Sequence, residues 1–280
     1  MNKQFKLIIK ILLMIISGRY YYSILTNEYC YKFVDQKKIQ NLKTNTLGIG
    51  TYNIKTNTLG IGTYNIKSLN YGKNDLKSFN KDIIDLKLDI ICLQEVDKNS
   101  LRSGNFDMLK IMANSSGYCY YYFYPTMWIL SGYYGLGILS KYSIIEVMAQ
   151  RLPNSIIREP RILTRTKLYF NEQIINIYNT HLTYADNQYR IKQMDYVKKH
   201  VDFNSYSILA GDFNSFKMNN KFKMEGVKCI NENKKYKTFC EFAAPDNIFY
   251  ADFFELKNCG LKKSSFSDHD LLYGEFFLKG

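Results

Sequence analysis

The sequence predicts a single large α/β domain, and three observations carry that prediction. With 280 residues, 46% of them hydrophobic, the chain can bury one substantial core, and no stretch resembles a linker long enough to divide it. Tyr (25) and Phe (18) are abundant while Pro occurs four times and Trp once, a bias that suits strands with broad aromatic packing. A plan also recurs along the chain: a strand, a polar residue where it ends, then a helix or a hairpin.

The N-terminus stands outside that plan. Lys3 and Lys6 precede the apolar run Leu7 to Ile16, the basic-then-apolar order of a signal peptide. The run is short for a membrane span, Lys10 interrupts it, and Ser17-Gly18 makes a poor cleavage site. Secretion, peripheral anchoring through residues 7–16 and a plain tail are all open, with an intracellular protein expected if residues 1–18 are neither signal nor anchor. Residues 19–42 show no usable period, so 1–42 are set apart as a signal-like segment and tail. Next comes a perfect tandem repeat, Lys43 to Ile54 recurring as Lys55 to Ile66. Two copies of twelve residues are too few for a solenoid. Each reads as one strand ending in Tyr-Asn-Ile, and a sheet position accepts only one. The second copy is contiguous with the rest of the domain, so 43–57 are read as a duplicated segment and 58–280 as the functional domain.

Within that domain, Leu76, Phe79, Ile83 and Ile84 predict an amphipathic helix over 73–88. Residues 89–96 read as a buried strand ending at Gln94-Glu95. A shorter helix over 106–113, the aromatic run 118–124 and Tyr134-Gly-Leu-Gly-Ile-Leu-Ser140 come next, the two glycines marking either a close backbone approach or a bulge. Strands are predicted over 143–152, 161–170 and 173–182, the last two joined by a hairpin turn at Asn171-Glu172. A helix over 186–203 starts from Asp186 as N-cap. The strand 206–214 ends in Gly211-Asp-Phe-Asn214, where Gly211 permits close backbone contact and Asp212 and Asn214 emerge at the turn. Residues 217–243 are polar and carry no assignment. Asp246 to Phe249, Ser267-Asp-His269 and a final strand 271–278 close the chain.

The net charge of +13 suits an anionic partner. Only seven of the 38 basic residues are Arg, however, and the Lys excess is spread along the whole chain, so it marks no site. The six cysteines lie far apart without a C-x-x-C pair, which argues against a zinc site or a disulfide scaffold and predicts mostly buried thiols.

Five strand ends or adjoining loops thus present Asn65, Glu95, His181, Asp212 with Asn214, and Asp268 with His269. Acids, amides and two of the three histidines, with no Gly-x-Ser-x-Gly elbow, suit a hard cation such as Mg2+ or Mn2+ rather than zinc. Hydrolysis of a phosphate ester needs those parts: a metal, a base for water, and donors to the phosphoryl oxygens.

Thr63-Tyr-Asn-Ile66, Leu93-Gln-Glu-Val96, Gly135-Leu-Gly-Ile-Leu-Ser140, Asn179-Thr-His-Leu182, Gly211-Asp-Phe-Asn214, Asp246-Asn-Ile-Phe249 and Ser267-Asp-His269 together resemble the endonuclease/exonuclease/phosphatase superfamily, in family order, over roughly 58–279. The resemblance implies a four-layered α/β sandwich, with two mixed, mainly antiparallel sheets face to face and helices outside. It also implies a phosphoric ester hydrolase, using one or two Mg2+ or Mn2+ ions, in which activated water attacks in line. Carried over by position, Glu95 binds the metal, helped by Asn65 and supported by Asp268. Asp212 positions or deprotonates the water, Asn214 holds a phosphate oxygen, and His181 donates to a non-bridging oxygen. His269 acts on the phosphate or as acid/base, oriented by Asp246. One departure is that Ala244-Pro245 stands before Asp246 where the family has Arg.

His181 resembles the phosphodiesterase and phosphatase branches, and the run that follows it, with Arg190 and Gln193, resembles the tyrosyl-DNA phosphodiesterase, sphingomyelinase and general hydrolase branches. A monomer acting on nucleic acid is expected. Lipid or inositol phosphate head groups, and a catalytically silent binding domain, are the alternatives.

Overall fold

The computed structural model describes residues 19–20, 30–34, 58–67, 73–129, 131–155, 157–215, 224, 226–232 and 235–279. Two seven-stranded sheets stack face to face. The first contains, from edge to edge, β1 (Arg19–Tyr20), β5 (Tyr120–Ile129), β6 (Gly132–Ser140), β4 (Ile90–Lys98), β3 (Thr58–Asn65), β14 (Leu271–Leu278) and β13 (Phe254–Lys262). The second contains β11 (Lys228–Cys229), β12 (Asp246–Tyr250), β10 (Ser207–Asp212), β9 (Gln173–His181), β8 (Ile162–Phe170), β7 (Ile144–Arg151) and β2 (Cys30–Val34). Helices α1 (Lys73–Ile84) and α2 (Met108–Ser116) cover the outer face of the first sheet, and α3 (Asn187–His200) covers that of the second.

This is the predicted four-layered sandwich, and side-chain alternation builds it. On β10, Ile208 and Ala210 enter the core between the sheets while Leu209 packs outward under α3. On β3, Leu59 and Ile61 face inward while Tyr64 packs under α1 and α2. Each sheet has one parallel pair, β3 with β4 and β9 with β10. Each is closed by a helical crossover, as parallel neighbours require. These four strands therefore end at the same edge of the sandwich.

The helices begin and end close to expectation. Asp186 caps α3 by accepting from the Gln188 and Tyr189 amides. The helix stops at His200 rather than 203, because Val201 is extended at its C-cap. Helix α1 stops at Ile84, short of the predicted 88, in a turn where Lys87 takes φ 51°. Asn171 and Glu172 form the hairpin turn with φ 47° and 67°, the left-handed pair that a two-residue loop demands.

Three readings change. Residues 19–42, unassigned from sequence, contribute β1 and β2 to sheet edges. The strand β13 carries no sequence signal: its residues alternate weakly and lie mostly half-exposed at an edge, so no apolar stripe marks it. Of Cys92, Cys119, Cys229, Cys240 and Cys259, Cys92 alone is buried, whereas Cys119 and Cys240 are exposed. The strand at β3 comes from the second repeat copy; the first copy and the apolar run 7–16 lie outside the described residues. Among the described residues no helix is long and apolar enough to cross a membrane.

Candidate active site

Along the inner faces of five strands the residues change from apolar to polar toward one edge. Leu59 and Ile61 lead to Thr63 and Asn65; Ile90 and Cys92 to Gln94; Ile175 and Ile177 to Asn179 and His181; Ile208 and Ala210 to Asp212. On the antiparallel β12, Tyr250 and Ile248 lead to Asp246. Register aligns the ends: Asp212 pairs with His181 on one side and Asp246 on the other, and Asn65 pairs with Gln94. The polar ends line a cleft of about 540 Å3 between the two sheets.

Gly211 is needed for that alignment. A Cβ there would lie 2.2 Å from the Thr180 carbonyl oxygen, so only glycine lets β10 approach β9 just before Asp212. Of the two glycines in Tyr134–Ser140, Gly135 sits beside strand irregularities on both neighbours, and a Cβ would meet the Tyr124 carbonyl oxygen at 2.0 Å. Close approach and bulge are thus both present.

Glu95 reaches the cleft through the irregularity in β4. Strict alternation would turn it toward the helices, as Leu93 is turned; instead the register shifts between Leu93 and Val96 and Glu95 takes φ 58°. Behind it, Gln94 Nε2 donates to Asn179 Oδ1 at 2.8 Å and Asn179 Nδ2 donates to the Leu93 carbonyl at 3.0 Å. This buried amide pair ties the Glu95 strand to the His181 strand across the gap between sheets.

Asp212 is the centre of the site. Its Oδ2 accepts from Asn65 Nδ2 at 3.0 Å and its Oδ1 from the Asn214 amide at 2.8 Å. The Nε2 atoms of His181 and His269 stand 3.5 and 3.8 Å from Oδ2. Burial alone would raise the Asp212 pKa, but the two histidines and the hydrogen bonds from Asn65 and Asn214 hold it below the usual value. Asp212 is therefore an ionised acceptor.

The histidines differ. His269 Nδ1 lies 2.9 Å from Asp246 Oδ2. Burial opposes the charged ring, yet Asp246, with Asp212 and Asp268, raises His269 to about 10. Burial in turn pushes Asp246 up to about 6 against the pull of that charge. His181 has no carboxylate behind it: burial, then Arg161, lower it to about 3, and its Nδ1 is buried without a hydrogen-bond partner. One imidazole is thus charged and the other neutral. Ser267 holds the loop in place, its hydroxyl donating to the Asn65 carbonyl at 2.8 Å and accepting from the His269 amide at 3.2 Å.

The structure brings all eight expected residues to this edge. Asn65, Glu95, His181, Asp212, Asn214, Asp268 and His269 line the cleft, and Asp246 stands behind His269. Asn214 Nδ2 donates to the Leu182 carbonyl at 2.9 Å. Asp268 is ion-paired with Lys67 at 2.6 Å on the rim. Lys67, Arg102, Glu159, Arg161 and Tyr184 also line the cleft and were not singled out from sequence. Arg161 precedes a strand rather than ending one, and only the antiparallel pairing of β8 with β9 carries it to His181.

Two sets of groups could hold a divalent metal. Asp212, Asp246 and His269 offer ligand atoms within 4.8 Å of one another. An ion there would have to displace the proton that Asp246 stabilises on His269. Glu95 has no such competitor: burial, and then the nearby Glu159, raise its pKa, so its ionised form lacks compensation that a cation would supply. Asn65 Nδ2 bridges Glu95 Oε1 at 3.1 Å to Asp212. The Glu95 and Asp212 carboxylates on either side of it are the oxygen donors that a hard cation takes.

A sequence profile of the endonuclease/exonuclease/phosphatase family matches residues 62–269. No curated protein sequence matches the chain. Among solved structures, an endonuclease/exonuclease/phosphatase from Beutenbergia cavernae is similar, with TM-score 0.68 and 16% identity over 80% of this chain and 72% of that one. The human Nocturnin catalytic domain with bound sulfate gives TM-score 0.65 and 18% identity, covering 80% and 95%. D. rerio TDP2 complexed with a single-strand DNA product gives 0.59 and 18%, covering 78% and 98%. At these identities the likeness concerns the fold.

Proposed function

Because the chain belongs to the endonuclease/exonuclease/phosphatase family, we propose that it is a Mg2+- or Mn2+-dependent phosphodiesterase that hydrolyses nucleic acid. The observation that carries this reading is the ionised Asp212 between a neutral and a charged imidazole. Such an arrangement separates the tasks of phosphoester hydrolysis. Asp212 lies too low in pKa to take a proton outright, so it orients water by accepting its hydrogen bond. His269 keeps a proton on Nε2 for the leaving oxygen, with Asp246 fixing the ring from Nδ1. The His181 imidazole offers a neutral N–H toward a non-bridging oxygen, and Asn214 an amide. Glu95, with Asn65, would hold the metal, which neutralises phosphate charge and lowers the pKa of bound water.

Nucleic acid is favoured as substrate by the net charge of +13 and by Tyr184, an aromatic that lines the cleft while 67% exposed and so offers a stacking face for a base. The test is a substrate panel of single-stranded and duplex DNA, 5′-phosphotyrosyl DNA, RNA, sphingomyelin and inositol phosphates, with EDTA and with Mg2+. Hydrolysis of a nucleic acid, lost in EDTA and restored by Mg2+, is expected. Glu95→Ala and His269→Ala should each lower turnover by roughly two to four orders of magnitude with the circular dichroism spectrum unchanged. EDTA-resistant hydrolysis, exclusive cleavage of lipid or inositol substrates, or full turnover in either variant would overturn the proposal.

A further inference from the structure

Four side chains could bring positive charge to the cleft: Lys67, Arg102, Arg161 and His269. Three are committed. His269 is held by Asp246, and Lys67 pairs with Asp268 on the exposed rim. Arg102 grips Asp97, a fully buried carboxylate outside the cleft, through Nε at 2.8 Å and Nη2 at 2.7 Å. Such a bidentate pair is geometrically saturated.

Arg161 is different. Its residue is only 7% exposed, yet it lines the cleft, and it shares a small side cavity with His181, Tyr134 and Glu159. Its ion pair is with Glu159, Nη1 to Oε1 at 3.0 Å, and Glu159 itself lines the cleft. The contact is close but poorly aligned: Glu159 Oε1 and Arg161 Nε are both buried without a hydrogen-bond partner. A buried guanidinium ordinarily saturates its fork on a carboxylate or a phosphate. Here an anion with oxygens on more than one side would satisfy the fork better than the single misaligned carboxylate does. The effect of the guanidinium on the neutral state of His181 places its charge close to the reacting region.

We propose that Arg161 is a substrate-binding residue, which exchanges Glu159 for a non-bridging oxygen of the substrate phosphate, and that Glu159 is the anion that holds this place in the free protein. The inference deepens the phosphoesterase reading and rests on it for the identity of the anion. Arg161 would then grip the phosphate from the β8 side while His269 meets it from the loop before β14.

The experiment is calorimetric titration of the full-length protein with inorganic phosphate, in EDTA and again with Mg2+. Glu159→Gln should bind phosphate about tenfold more tightly, because the guanidinium loses its competitor while the side-chain shape is kept. Arg161→Gln should weaken binding by at least about tenfold, with Arg161→Lys intermediate. The double variant Glu159→Gln/Arg161→Gln removes both buried charges together, so it should keep the wild-type melting temperature and still bind as weakly as Arg161→Gln. Phosphate affinity unmoved by Glu159→Gln, or a double variant that binds like wild type, would overturn the assignment. The two proposals fail separately. Phosphate binding that follows Arg161 in a protein hydrolysing nothing on the panel sinks the phosphodiesterase reading alone; hydrolysis with phosphate binding indifferent to both residues sinks the Arg161 assignment alone.

Discussion

His269 owes its charge at neutral pH chiefly to Asp246, and that makes the pair testable by titration. Its pKa of about 10 is raised, so the protonated ring persists below that value and is lost as pH rises through it, whereas Asp246 must lose its proton near 6 for the pair to form. A plateau in kcat/KM between limbs near 6 and 10 is expected. Asp246→Asn removes the carboxylate and leaves burial to act on the ring, so the alkaline limb should move down by more than one pH unit. A pH–rate profile with that limb unmoved would refute the role given to Asp246. Asn65, His181 and Asp212 were legible in the sequence because each closes an apolar run, and a polar group there has few uses other than a site; Asp246 opens a strand and was named only through the family resemblance. Arg161 and Glu159 were not legible, since they precede a strand and the pairing that brings a strand's start to its neighbour's end is a tertiary fact. Likewise, nothing in Leu-Gln-Glu-Val signals that Glu95 escapes alternation through an irregular register and a positive φ.

At the level of elements, the site depends on how closely β10 and β9 run. Gly211→Ala would press a methyl group into the Thr180 carbonyl, a contact of 2.2 Å that the backbones must separate to relieve. The cost expected is about 3 kcal/mol. For a domain of this size that corresponds to a fall in melting temperature on the order of 10 °C. Scanning calorimetry checks it, and a change under about 2 °C would show that the strands accommodate the methyl group. Strands with a clear apolar run were legible almost to their ends, as β8, β9 and β10 show, whereas α3 has a weak period and is marked chiefly by its Asp186 cap. The two-residue β1 is too short to have a period, and β13 shows only a weak one because it is a half-exposed edge.

For the whole molecule, the order of layers follows from which face of each strand is apolar, and the resemblance to a known family already implied the sandwich. What the sequence could not supply is how the N-terminal region joins the sheets, where β1 and β2 pair with β5 and β7, one at an edge of each sheet and both at the end where β5 packs against β7. The second repeat copy supplies β3, so deleting residues 43–54 should leave both melting temperature and turnover unchanged; loss of either would mean that the first copy contributes to the native state. The duplication also bears on any attempt to dissect the site by mutation. Residues 43–55 and 55–67 are identical, Lys for Lys at either end, so the chain carries a second Asn, Asn53, in the same local sequence as Asn65. Moving the slack of twelve residues from one side of the strand to the other changes loop-closure entropy only logarithmically, by less than about 1 kcal/mol. A substitution at Asn65 thus leaves an unaltered replacement strand upstream, and the genetic dissection of β3 belongs in the background that lacks residues 43–54.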